Sequence, residues 1–175
     1  MPINCHVDFR IARWLPQRPT VEEIEAWLAG DERRAICVKH NRKRSVYALR
    51  SAASAVPSYF LKHDHPGQWG DIIRSWIYPK VLQEFRVLER LQENNVPAVK
   101  PVACAWRCGQ GILITEALTG AATFMELWPR VQADQKRRQP LLAALAELVR
   151  RMIQARVFHP DLHFGNILVG ERGQR

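Results

Sequence analysis

The sequence predicts an α+β fold, and two observations support that prediction. Short runs rich in β-branched and aromatic residues indicate strands, and two longer stretches repeat their apolar residues at the helical period. Along the chain the order is strands, a helix, strands, a second helix, and a polar loop followed by an apolar strand. We predict three segments: an N-terminal extension with a short helix over residues 1–34, a β-rich part over 35–118, and a mainly helical part over 119–175.

The first elements are predicted from capping and turn signals. Thr20 and Glu23 have the spacing of a capping box, and Gly30 ends a short helix over residues 20–29. Five β-prone runs follow, and we predict strands over residues 35–39, 45–49, 58–62, 99–106 and 111–115. The first two runs flank a basic turn at residues 41–44, so we expect them to form a hairpin.

Two amphipathic helices are predicted from the apolar repeat. The first covers about residues 79–94, and Pro97 follows its end. Its apolar side consists of Val81, Phe85, Leu88 and Leu91. The second covers about residues 139–156. Its apolar residues include Leu141, Leu145, Leu148 and Met152. A polar loop and an apolar strand come after this second helix.

Composition excludes several classes of protein. A chain with 47% hydrophobic and 25% charged residues is globular rather than disordered or fibrous. No apolar run approaches the roughly 20 residues of a membrane-spanning helix, and the first residues lack the pattern of a secretory signal. The four cysteines include no Cys-x-x-Cys pair, and we expect reduced, mostly buried thiols. A cytoplasmic location is therefore expected.

The formal charge of +9 is unevenly distributed. The stretch from Arg33 to His63 contains eight Lys and Arg residues and no Asp or Glu. It can be a solvated basic loop, or a surface that meets the phosphates of a nucleotide, an anionic lipid or a nucleic acid. Tyr47 is the one aromatic residue near the densest part, so the sequence offers little base stacking. A nucleic-acid-binding module is the last choice, and no nucleic-acid partner is expected.

The strongest chemical signal is the run His159-Pro160-Asp161-Leu162-His163-Phe164-Gly165-Asn166-Ile167-Leu168. An Asp and an Asn five positions apart, after a helix and before an apolar strand, fit a phosphoryl-transfer loop. Asp161 can orient a hydroxyl and accept its proton, and the Asn166 amide oxygen can ligate Mg²⁺. The alternative is a polar turn in which both residues serve turn chemistry.

This run resembles the His-x-Asp-x-x-x-x-Asn catalytic loop of the protein-kinase-like superfamily. Pro160 stands where protein kinases usually have Arg, and His163 where protein Ser/Thr kinases usually have Lys. The run is therefore more similar to the small-molecule kinases. The resemblance implies a protein-kinase-like fold, with an N-lobe and hinge over 35–118 and a partial C-lobe over 119–175, and it implies ATP and Mg²⁺ as cofactors.

The resemblance also requires an upstream lysine and carboxylate. Lys62 ends the third predicted strand and matches the lysine that holds the α/β-phosphates. Glu84 falls on the apolar side of its helix, where a carboxylate is costly unless it is paired, and Lys62 is its natural partner. Alternatively, Glu84 lies at the edge of the apolar stripe and Lys62 is an ordinary strand-end lysine. Glu89 is the competing carboxylate, but it faces the polar side.

Two further stretches resemble parts of a kinase ATP site. Residues 111–120 are similar to the strand and hinge that receive adenine, which makes Thr115 the gatekeeper and assigns base contacts to the Glu116 carbonyl and the Leu118 amide. The phosphate-covering turn departs from the family pattern because it contains no glycine. Our hypothesis is that the cationic side chains of this turn contact the phosphates instead. They are Arg42, Lys43 and Arg44.

The closest family resemblance is to the lipopolysaccharide core kinases, which phosphorylate heptose or Kdo. The resembling stretches are residues 45–62, 84–103 and the loop that contains Asp161. This resemblance implies transfer of phosphate from ATP to an inner-core sugar at the cytoplasmic face of the inner membrane. It also implies peripheral contact with that anionic surface, with which the basic excess agrees.

Two other interpretations of the function stay open. An aminoglycoside- or choline-type kinase shares the same loop. The non-enzyme interpretation is a truncated, inactive kinase-like protein. Active kinases use a second metal-binding Asp, in an Asp-Phe-Gly position after the loop Asn. The nine residues after Asn166 contain no Asp, so the chain is expected to end before that position.

Overall fold

The computed structural model describes residues 35–50, 56–65, 79–107, 110–118, 120–159 and 162–170. The predicted helix over 20–29 lies outside these residues. The chain divides into two compact units, one formed by the residues up to Arg86 with Lys100–Ala117, the other by Val87–Val99 with the residues from Leu118 onward. The predicted segment boundaries at residues 34 and 118 stay predictions.

The first unit contains an antiparallel five-stranded sheet with the order β1-β2-β3-β5-β4. Its strands are β1 (Ala35–His40), β2 (Arg44–Arg50), β3 (Pro57–Asp64), β4 (Pro101–Arg107) and β5 (Gln110–Glu116). Each corresponds to a predicted strand. The fourth starts two residues later than predicted, because its pairing with β5 begins at Pro101, opposite Thr115. The basic turn connects β1 to β2, which form the predicted hairpin.

One face of the sheet carries a packed apolar core. Leu49, Leu61 and Ile114 are fully buried in it, with at most 1% of their surface exposed. Successive residues of a strand point to opposite faces, so Lys62 lies on the other face from Leu61. Lys62 pairs with Val46 of β2 on one side and with Leu113 of β5 on the other. The sheet therefore places this lysine in its middle strand.

Helix α1 covers Lys80–Glu93, close to its predicted range. The four residues of the predicted apolar side, Val81, Phe85, Leu88 and Leu91, are all buried. The helix ends where Asn95 adopts a left-handed conformation (φ 55°), after which the Val96 amide donates to the Leu91 carbonyl at 2.8 Å. Glu84 is on the same side as the apolar residues and is half-buried.

The described residues after β5 form two helices where the sequence predicted one. The elements of this part are β6 (Ala122–Thr123), α2 (Phe124–Val131), α3 (Gln135–Gln154), a 3₁₀ turn (Phe164–Asn166) and β7 (Leu168–Val169). The prediction missed α2, which begins with a capping box between Thr123 and Glu126. It also began α3 too late, because the Asp134 side chain accepts from two backbone amides and starts the helix before the apolar repeat does.

Two other expectations can be compared with the described residues. Cys104 is buried in β4 as expected, but Cys37 is exposed because it lies on the edge strand β1. Among the helices of the described ranges, none is both long enough and apolar enough to span a membrane.

Candidate active site

An ion pair joins the middle of the sheet to helix α1. The Lys62 ammonium donates to a carboxylate oxygen of Glu84. About a third of the Lys62 side chain is exposed (33%), against 20% for Glu84. The structure thus brings together the two residues that the sequence predicts as partners, and it leaves part of the ammonium accessible to a ligand.

The close approach of α1 to β5 sets the position of Glu84. Gly111 of β5 has no side chain, and a Cβ atom built there would lie 2.6 Å from Cγ1 and 2.8 Å from Cγ2 of Val81. Val81 is three residues before Glu84 on α1, so the two lie on the same side of the helix. The missing side chain at residue 111 therefore lets the helix come near enough for Glu84 to reach Lys62.

Arg44 has carboxylate partners in this structure. Its Nε donates to Oδ1 of Asp64 at 2.5 Å, and its Nη2 donates to Oδ2 of the same residue at 3.2 Å. Nη2 also lies 3.8 Å from Oε2 of Glu84. Arg42 and Lys43 are exposed in the turn. A contact of any of these three cations with nucleotide phosphates stays a prediction.

A cluster of histidines around Ser45 was missed by the sequence analysis. Ser45 is fully buried, and its Oγ lies 2.7 Å from His40 Nδ1 and 2.7 Å from His65 Nε2. A serine hydroxyl has one proton, so it donates to one of these rings and accepts from the other. The ring centres of His63 and His65 are 4.7 Å apart. The alternation His63-Asp64-His65 was the signal that could have indicated this cluster.

The environment of His63 disfavours its charged form. Burial lowers the pKa of His63 below its usual 6.5, and the charge on His65 lowers it further. A hydrogen bond with the Gln110 side chain and the charge of Asp64 act in the opposite direction. Among the described residues, no group of three or more His, Cys, Asp or Glu side chains is arranged so that it could hold a metal ion.

The predicted hinge follows β5. Thr115 is buried, with 5% of its surface exposed. Glu116 ends the strand, where its carboxylate lies 3.0 Å from the Lys100 ammonium and its amide donates to the Lys100 carbonyl at 2.9 Å. Leu118 is exposed. Contacts of Glu116 and Leu118 with an adenine stay predictions.

The predicted catalytic loop is only partly described, and Asp161 lies outside the described residues. Asn166 ends the 3₁₀ turn, and its amide donates to the His163 carbonyl at 2.8 Å. Nδ1 of His163 accepts from the Gly165 amide at 3.1 Å, so the neutral ring carries its proton on Nε2. His163, the residue that separates this loop from the protein Ser/Thr kinase pattern, therefore caps the turn that carries Asn166.

Helix α2 holds the other side of this loop. Phe164 stacks on the buried Phe124, with ring centres 4.8 Å apart, and the Phe124 amide donates to the Ile167 carbonyl at 2.8 Å. The two-residue strands β6 and β7 pair directly beside these contacts. The backbone around Asn166 is thus fixed by ring stacking, a strand pair and a helix terminus.

Comparison with known proteins assigns the chain to a family. The chain matches no curated protein. A family model described as the lipopolysaccharide kinase (Kdo/WaaP) family matches residues 5–175. That range includes the Lys62–Glu84 pair, the hinge segment and the loop with Asp161 and Asn166. The match extends over nearly the whole chain, and the chain therefore belongs to the Kdo/WaaP lipopolysaccharide kinase family.

Proposed function

We propose that this protein transfers the γ-phosphoryl group of ATP to a sugar hydroxyl of the lipopolysaccharide inner core, on heptose or Kdo. Membership of a kinase family supports phosphotransfer in general. The observation that carries the proposal is the ion pair between Lys62 on the middle strand and Glu84 on α1. A partly exposed lysine held by a half-buried carboxylate is the arrangement with which kinases bind the phosphates of ATP.

In the proposed reaction each residue has one task. Lys62 binds oxygens of the α- and β-phosphates, and Glu84 keeps its ammonium in place. Asp161 orients the sugar hydroxyl and accepts its proton. The hydroxyl oxygen forms a bond to the γ-phosphorus while the bond from that phosphorus to the bridging β-phosphate oxygen breaks, so ADP leaves. Positioned acid–base groups of this kind typically contribute about 10²–10⁴-fold in rate.

Asn166 is the described residue that fits a magnesium ion. Its amide oxygen is a hard, neutral ligand of the type that Mg²⁺ accepts, and the capped turn holds its backbone in place. When bound, Mg²⁺ neutralises charge on the phosphate oxygens. The chain's own part is to present that oxygen from the same loop that contains Asp161.

The proposal includes a cytoplasmic reaction next to an anionic surface. The stretch from Arg33 to His63 combines eight cations with no acidic residue, and a basic segment of this kind is attracted by an anionic leaflet and by an anionic acceptor. Sedimentation with vesicles that contain phosphatidylglycerol tests the surface contact. Equal sedimentation with neutral vesicles would contradict it.

Phosphate transfer from radiolabelled ATP tests the proposed activity. The acceptors are purified lipopolysaccharide core, free heptose and Kdo, an aminoglycoside, and choline. We expect label on the core sugars, a loss of about 10²-fold or more with Asp161→Asn, and a comparable loss with Lys62→Met. Arg86→Gln, which removes an exposed charge on α1, serves as the control.

The other outcomes decide among the alternatives. Label on the aminoglycoside or on choline alone would assign the protein to another small-molecule kinase class. No transfer to any acceptor would favour an inactive kinase-like protein. Full activity of the Asp161→Asn variant would contradict the role assigned to Asp161.

A further inference from the structure

We propose that Arg44 is a positioning residue: it holds Glu84 beside Lys62 and does not bind the nucleotide phosphates itself. The inference rests on the proposed function, because it concerns how the phosphate-binding lysine is kept in place. It gives a different role to Arg44, which the sequence-based hypothesis assigned to the phosphates together with Arg42 and Lys43. Four side chains of the first unit form the network concerned, namely Arg44, Lys62, Asp64 and Glu84.

Arg44 is anchored to the sheet by Asp64. The two residues are direct partners in the pairing of β2 with β3, so their side chains start from the same face of neighbouring strands. Two guanidinium nitrogens contact the two carboxylate oxygens, at 2.5 and 3.2 Å. Such a two-point contact fixes the plane of the guanidinium as well as its position.

From that anchor Arg44 reaches helix α1. Its Nη2 lies 3.8 Å from Oε2 of Glu84, while the other carboxylate oxygen of Glu84 accepts from Lys62. Glu84 therefore lies between two cations, and each of its oxygens faces one of them. The four charges alternate in sign along the chain of contacts Lys62, Glu84, Arg44, Asp64, and they sum to zero.

The exposure of these side chains distinguishes them from ordinary surface pairs. Between 17% and 33% of each side chain is exposed, so solvent screens the four charges less than it screens a fully exposed pair. Removal of Arg44 would leave Glu84 with Lys62 as its remaining partner in this network and would remove the second link between the sheet and α1. The carboxylate would then hold the ammonium less firmly in the direction of the phosphates.

The turn geometry separates Arg44 from the other two cations of the turn. The Asn41 side chain accepts from the amides of Lys43 at 2.9 Å and of Arg44 at 2.8 Å, and the Asn41 amide donates to the Arg44 carbonyl at 2.9 Å. These bonds hold the backbone where the Arg44 side chain begins. Arg42 and Lys43 are exposed. The tight turn therefore directs one cation toward carboxylates and leaves two at the surface.

A double-mutant cycle on nucleotide binding tests the inference. Dissociation constants for a fluorescent ATP analogue with Mg²⁺ are measured for the wild type, Arg44→Gln, Glu84→Gln and the double variant. We expect Arg44→Gln to weaken binding about tenfold in the wild-type background, the size typical of coupled charge partners. In the Glu84→Gln background the same substitution should change the constant less than about twofold. If Arg44 contacts the phosphates directly, Arg44→Gln should weaken nucleotide binding by the same factor in both backgrounds. That result would overturn the inference.

Three further proteins complete the experiment. Arg86→Gln removes an exposed charge from α1 two residues from Glu84 and should leave the dissociation constant unchanged. Arg44→Lys retains the charge without the two-point fork, so it should weaken binding less than Arg44→Gln does. If the Arg44→Gln protein does not fold, as judged by thermal unfolding, the cycle is repeated with Arg44→Lys. Lys62→Met gives the dissociation constant of the nucleotide without the Lys62 ammonium, and so shows how much of the binding depends on that lysine.

The failure of this inference can be distinguished from the failure of the proposed function. Binding that is lost in Lys62→Met but unchanged in Arg44→Gln would overturn the role of Arg44 alone. A wild-type chain that does not bind the nucleotide would overturn the proposed function, and this inference with it.

Discussion

Substitution of Gly111 by alanine tests how the sheet and helix α1 are packed together. The added Cβ would lie 2.6 and 2.8 Å from the two γ-carbons of Val81, whereas carbon atoms pack at about 3.5–4.0 Å. The side chain of Val81 is 3% exposed, and a β-branched residue in a helix has one strongly preferred rotamer. The helix or the strand must therefore move by about 1 Å. Overpacking of this kind costs about 1–3 kcal/mol of the free energy of unfolding.

Substitution of Val81, the residue that the new Cβ would meet, tests whether the loss in Gly111→Ala comes from this contact. Val81→Ala removes both γ-carbons from a buried site, which costs about 1–3 kcal/mol through lost burial and the cavity that remains. In the double variant the new methyl group at residue 111 occupies the vacated space. We expect the double variant to lose about 1–2 kcal/mol less than the sum of the two single losses.

Urea unfolding followed by circular dichroism measures the four proteins of this cycle. Gly170→Ala is the control, because among the described residues a Cβ there meets Leu118 Cδ2 alone, at an ordinary 3.8 Å. If the two single losses add within about 0.5 kcal/mol, residues 81 and 111 are not in direct contact and the prediction is wrong. Since α1 also carries Glu84, ATP affinity should fall in Gly111→Ala and recover in the double variant.

Three other outcomes follow from the described contacts. Ser45→Ala should lower the free energy of unfolding by about 1–3 kcal/mol in urea unfolding, because two ring nitrogens lose a buried hydroxyl; an unchanged midpoint would contradict this. Lowering the pH from about 7 to about 5 should destabilise the protein, because the pKa of His63 is below its unfolded value of 6.5. As the pH falls, His63 binds a proton in the unfolded chain before it does in the folded chain, so the stability present above pH 6.5 is lost. A His63→Gln variant with the same pH dependence would rule this out. Gly165→Ala places a Cβ 3.0 Å from the ring of His163, the residue that caps the turn of Asn166. The substitution should therefore lower kcat about tenfold. Full activity would show that the cap does not position Asn166.

Local patterns were sufficient to predict most elements of the first unit. The strands and α1 were predicted from alternation and from the helical repeat, which report burial on one face of each element. The same repeat indicated that Glu84 is on the apolar side of α1, and a carboxylate in that position requires a cation. The resemblance to kinases then indicated Lys62 as that cation, so the pairing of Glu84 with Lys62 could be predicted before any distance was known.

Helix α2 shows where local patterns are insufficient. It has eight residues and contains Pro129, which disfavours a helix interior. Its stability depends on a capping box at Thr123 and on the packing of Phe124 against Phe164, 40 positions along the chain. The apolar repeat of a single segment contains no information on such a contact.

The residue pattern was enough to predict the α+β class, the kinase-like order of elements, and the candidate residues Lys62, Glu84, Asp161 and Asn166. The partners of Arg44 and Ser45 are visible in the folded chain and not in the pattern. Arg44 meets Asp64 and Ser45 meets His65 across 20 positions of the chain. The register of β2 against β3 pairs Arg44 with Asp64 directly and places Ser45 opposite His63, two residues before His65. That register depends on the turn between β1 and β2, on the segment between β2 and β3, and on which sheet face is buried, all at once. A charge in a basic run can therefore be read from the sequence, but its partner is selected by the pairing of the strands.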